Sequence, residues 1–148
     1  MSPIPEIGER LQHAAGLAEV LDAAYDAFEQ MLLAIRVHEN PASGLFAAFV
    51  MAAASAADGR DAVGFAPSLP PNRGSGAPAD DNGPHAAESA ESIAEPVAGL
   101  SRLLAARLAQ AGESASDPGD RAACADAVCC AESIYGLLRR MCGRRAGS

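Results

Sequence analysis

Alanine fills the places that larger apolar side chains occupy in most cores of this size. The chain holds 35 alanines among its 148 residues, against 28 of Leu, Ile, Val and Phe together, about 19% of the total. Alanine is the best helix former and lets helix axes approach closely, whereas strands draw on β-branched and aromatic residues. A sequence so built is expected to fold as helices meeting through small residues. Contacts of that kind bury little area per residue, so self-association is the expected source of further burial. The length is near the commonest domain size and favours one core over two.

Helical periodicity supports this reading. Pro3 and Pro5 after Ser2 open a short helix that reaches Leu11 and about Ala15, and Gly16 interrupts it. Leu17, Val20, Leu21, Ala24, Phe28, Met31, Leu32 and Ile35 then recur at steps of three and four, with Glu19, Asp22, Asp26 and Glu29 on the other side. This amphipathic helix is expected to end near Asn40, which would cap a new helix with Pro41 at its first position. From Leu45 the sequence is apolar nearly all round, until "DGRD" at 58–61 is expected to stop it. A last turn, "AVGF", precedes Pro67.

Residues 66–84 carry five prolines and three glycines without periodicity and read as an exposed, flexible linker. A proline-rich ligand is the functional alternative there, but "PSLPP" matches the PxxP pattern only loosely. Helix resumes near Ala86, with Ile93, Val97, Leu100, Leu104 and Leu108 in register and Pro96 inside the run, so the helix either bends there or begins there. Asp117 and Pro118 mark the cap and first position of a final helix reaching about Cys142. The expected fold is therefore all-α, a single domain of four to five helices. The linker divides it into N-terminal helices (1–65) and a C-terminal helical hairpin (85–148).

All four cysteines, Cys124, Cys129, Cys130 and Cys142, fall on that final helix. Cys124 and Cys142 share a side but lie eighteen residues apart, about 27 Å along the axis, too far for one metal ion. The C-x2-C spacing of zinc sites is absent. Cys124, Val128, Ala131, Tyr135, Leu138 and Cys142 instead recur at helical steps, a core stripe in which cysteine serves as a small hydrophobe. The carboxylates of the second helix lack the Glu-x-x-His partners of helical di-metal sites and read as a solvated face. No metal, cofactor or catalytic residue is expected.

The net charge of −8 opposes binding to nucleic acid or anionic lipid. The exception is the basic end, Arg139, Arg140, Arg144 and Arg145, whose functional reading is a contact to phosphate or an acidic partner. His38, Arg36, Arg139 and Arg140 are otherwise explained as cations near helix C-termini. Every basic residue is arginine and none is lysine, which together with the alanine content resembles the codon bias of a GC-rich bacterial genome. The start lacks a signal-peptide pattern, and the longest apolar run, Leu45 to Ala57, is too short to span a bilayer, so a cytoplasmic setting is expected.

Walker-type, G-x-S-x-G, H-E-x-x-H and G-x-G-x-x-G motifs are all missing. The expected function is a non-catalytic interaction or assembly module, a homo-oligomer or a binder of protein, acting through Leu45, Phe46, Phe49, Val50 and Met51. The alternative is a helical regulator or accessory protein with a small-ligand or metal site near Glu9, His13 or the cysteines.

Overall fold

A computed structural model of the chain describes residues 4–42, 44–70 and 90–147. Five helices account for most of them: α1 (Ile4–His13), α2 (Leu17–Val37), α3 (Phe46–Gly64), α4 (Ala90–Ser114) and α5 (Pro118–Gly147). No strand occurs among the described residues.

Side-chain contacts fix the arrangement. Arg60 of α3 approaches Glu29 of α2 at 3.7 Å, and Gly64 lies against Tyr25, so α2 and α3 are antiparallel. Ser55 and Ser133 meet at 3.3 Å across α3 and α5, while Asp58 of α3 acts on Cys130, one turn back along α5, which makes that pair antiparallel too. Gly112 packs on Cys124 and Arg102 lies over Tyr135, so α4 opposes α5. The start of α2 borders the end of α4. Among the described residues α2, α3, α5 and α4 thus pack in a ring, the backbones of neighbours lying close and those of the diagonal pairs further apart.

The short helix α1 rests in the seam between α2 and α4. Ile4 and Leu11 are its buried apolar residues, Ile7 packs on the core beside them, and polar ties complete its attachment. Arg10 grips two carboxylates of α2, Asp26 at 2.7 Å and Asp22 at 2.9 Å. Arg107 of α4 donates from Nε to the Leu11 carbonyl at 3.1 Å and from Nη2 to the Ala14 carbonyl, satisfying acceptors at the end of α1.

Several expected boundaries move. Asn40 does not cap a helix: its Oδ1 accepts the Ala42 N–H at 3.0 Å, an Asx turn that competes with helix, and α3 begins only at Phe46. "DGRD" does not stop α3, because Gly59 is a packing notch rather than a breaker. A Cβ there would overlap the ring of Phe28, which is fully buried. Helix α4 runs through Pro96, which lies on its exposed side, so a late start at that residue is excluded. The caps at α5 match expectation, with the Asp117 carboxylate accepting the Gly119 N–H at 2.7 Å.

The first residues of the expected linker are docked instead of free. Ala66 is buried, Leu69 packs on the core, and Pro67 sits so close to Gly119 that any side chain there would meet it. Asp120, only 2% exposed, accepts the Ser68 N–H at 2.9 Å and the Ser68 hydroxyl at 2.6 Å. The reason is polar satisfaction: a carboxylate buried in the first turn of a helix needs donors beyond the helix dipole. Residues 71–89, which hold the rest of the expected linker, lie outside the described residues.

The direction of the helices explains why that connection is long. Helices α3 and α4 run the same way from opposite corners of the ring, so the chain must return from the Asp120 end to the start of α4. Helix α4 has 25 residues, hence a span of about 37 Å. A turn of two or three residues cannot bridge it.

Two substitutions separate packing from propensity. Gly59→Ala is expected to destabilise the fold by about 1–3 kcal/mol through overpacking against Phe28, despite the gain in helix propensity. Gly99→Ala, on the exposed side of α4 where nothing lies within 4 Å, is expected to stabilise by about 0.5–1 kcal/mol. Urea denaturation of the two variants checks the opposite signs. Ser68→Ala is expected to cost about 1–2 kcal/mol in the same assay, because Asp120 then loses a donor while staying buried.

Candidate functional site

The five residues expected to form a partner-binding face divide in two. Leu45 and Phe49 are each 1% exposed and belong to the core, so they are not available to a partner. Phe46 is half-buried, and only Val50 (41%) and Met51 (57%) face outward. The correction follows from the ring. A helix with two neighbours buries the part of its circumference that faces both, here Leu45, Ala48, Phe49, Ala52, Ala53 and Ala56, and keeps one outer strip. On α3 that strip opens with Ala47, Val50, Met51 and Ala54 and becomes charged at Asp58 and Asp61.

Sequence reasoning missed two companions. Leu33 and Val37 of α2 are each 54% exposed. Their signal was visible as exclusion, since both fall off the stripe that runs from Leu17 to Ile35. The antiparallel register set by Glu29 and Arg60 brings Leu33 and Val37 to the same end of the α2–α3 pair as Val50 and Met51. Phe65, 83% exposed, stands at the opposite end.

The carboxylates of α2 lie at the solvent-facing surface, where each has a partner. Asp22 and Asp26 hold Arg10, Glu29 faces Arg60, and the Glu19 carboxylate accepts the Ala15 N–H at 2.8 Å. Hydrogen bonding to Asp26, then the field of both aspartates, raises the pKa of Arg10 against the opposing effect of burial. Among the described residues no three His, Cys, Asp or Glu side chains converge to hold a metal ion. His13 donates from Nδ1 to its own helix at Glu9, 2.9 Å away. It borders, with Arg10, Glu19 and Asp22, a hollow of about 270 Å³.

His38 caps α2, and its Nδ1–H donates to the Ala34 carbonyl at 2.9 Å. Its Nε2 is buried and has no hydrogen-bond partner among the described residues. Arg139 lies 6.0 Å from the ring centroid of Tyr135, and Arg102 lies 5.9 Å from the same centroid. The side chains of Arg140, Arg144 and Arg145 lie outside the described residues.

The cysteine stripe is a packing face where it is described. Cys124, Ala131 and Leu138 are buried and Val128 and Tyr135 pack against the core. Burial, then the charge of Asp120, pushes the Cys124 thiol up, and burial, then Asp58, does the same to Cys130. Cys129 is exposed. No helix among the described residues is long and apolar enough to cross a membrane. No protein-family model matches the chain, and no match is found among curated proteins or solved structures.

Thiol chemistry reports this arrangement directly. With iodoacetamide at mildly alkaline pH, Cys129 is expected to be alkylated first, Cys130 more slowly, and Cys124 only on unfolding, because access falls in that order and burial pushes the Cys130 and Cys124 thiols up. Peptide mass spectrometry along the time course checks the ranking.

Proposed function

We propose that this chain is a non-catalytic helical interaction module that docks an apolar surface of a protein, a second copy or another chain, through the outer side of α2 and α3. One observation carries the reading: Leu33, Val37, Val50 and Met51 are large, apolar and 41–57% exposed at one end of that pair. Fully burying such a side chain is worth about 1.5–3 kcal/mol, and the alanines between them offer a flat approach to a partner helix. The side chains sit on packed helices, so their backbone is already ordered before binding. A cytoplasmic setting agrees with the exposed Cys129 thiol, which reducing conditions would keep free. A small-ligand role has less support, since Arg10 and Asp22 at the His13 hollow already satisfy each other.

A photo-reactive residue at position 51 tests the reading, with position 61 of the same helix as the exposed polar control. Protein crosslinks are expected from position 51 in extracts of the source cells, and their loss in a Val50→Asp background. Equal yields at 51 and 61 would overturn the assignment.

A further inference from the structure

The outer edges of α4 and α5 repeat one pattern. On α4, Arg102, Ala106, Ala109 and Glu113 follow at steps of 4, 3 and 4, and on α5, Arg121, Ala125, Val128 and Glu132 follow at the same steps. Such steps keep each row on one side of its helix. Ala109, Glu113, Arg121, Ala125 and Val128 line a single open hollow of about 550 Å³ between the two helices, floored by Leu108, Gly112 and Cys124. Beyond this hollow, further along the same pair of helices, Arg102 reaches over Tyr135.

Because the helices are antiparallel, the two rows set one acid and one base at each end, and Arg139, over the same Tyr135 ring as Arg102, adds a further base at one of them. Glu113 and Arg121 stand at one end, Arg102 and Glu132 at the other, with the acid on α4 in the first and on α5 in the second. Each row separates its charges by eleven residues, about 16 Å along the axis. All four side chains are exposed, and none has an ion-pair partner among the described residues. Arg121 is held in place by its own Nε, which donates to the Ala115 carbonyl at 3.0 Å.

We infer that a second copy of this chain docks in the α4–α5 groove across a two-fold axis lying in the plane of the groove. The charge pattern is its own complement under that symmetry. With the axis across the helices, Arg121 meets Glu132 of the second copy and Glu113 meets Arg102. With the axis along them, Arg121 meets Glu113 and Arg102 meets Glu132. Acid faces base at all four positions in either case, around a centre of Ala106, Ala109, Ala125 and Val128 small enough for close helix contact. An isologous contact of this kind closes at the dimer. It uses the side of the ring opposite α2 and α3 and stands independently of the docking proposed there.

Sedimentation equilibrium and native mass spectrometry of the full chain test it. The wild type is expected to be a dimer that weakens with added salt. Glu132→Arg, which sets like charges together twice, is expected to raise the dissociation constant at least about tenfold without changing the melting curve of the monomer. Adding Arg121→Glu restores the dimer if the axis crosses the helices, and adding Arg102→Glu restores it if the axis runs along them. Val50→Asp leaves the dimer intact. A wild type that stays monomeric to about 100 μM, a dimer indifferent to Glu132→Arg, or failure of both compensating changes would overturn the inference.

Discussion

How closely the helices can approach governs the rest of this bundle. Ala24, Ala27, Ala52, Ala53, Ala56, Ala94, Ala98, Ala127 and Ala131 are all buried, and each alone removes little apolar area from water. Stability in such a core comes from many dispersion contacts at short range. The few large side chains, Phe28, Phe49, Met31 and Ile134 among them, then need receptacles of fitting depth. Phe28 shows the rule: its ring occupies the space that a side chain at residue 59 would need. A glycine in mid-helix sacrifices propensity and gains the fit of an aromatic ring.

Polar contacts do what thin apolar surfaces cannot. Helix α1, with Ile4 and Leu11 as its buried residues, is fastened by Arg10 to Asp22 and Asp26 and by Arg107 to its terminal carbonyls. The start of α5 is fastened to the end of the α3 segment by Asp120 and Ser68. Both fastenings satisfy groups that helix ends or burial would otherwise leave unpaired, so they position elements as well as hold them.

The helices and their core faces were legible because period and capping chemistry act locally. The stripes from Leu17 to Ile35 and from Cys124 to Leu138, and the Asp117 cap, needed no knowledge of neighbours. Tertiary demands were not legible. Gly59 reads as a breaker unless Phe28 is known to lie against it, and 66–70 read as linker unless Asp120 is known to be buried beneath Ser68. The candidate face was legible only in part for the same reason. A helix apolar all round does not say which strip its two neighbours will leave, so Leu45 and Phe49 could not be told from Val50 and Met51, and Leu33 and Val37 were passed over.

The parallel course of α3 and α4 has a consequence for how the chain can vary. Each half is an antiparallel unit with short internal connections, and covalent connection keeps the two halves at high effective concentration. Closure entropy rises only logarithmically with tether length, by roughly 0.6 kcal/mol per doubling. The latch of Ser68 to Asp120 and the packing of Leu69 complete the docking of the first half's end, so length added to the connection past Leu69 is a weak lever on the equilibrium between docked and separated halves.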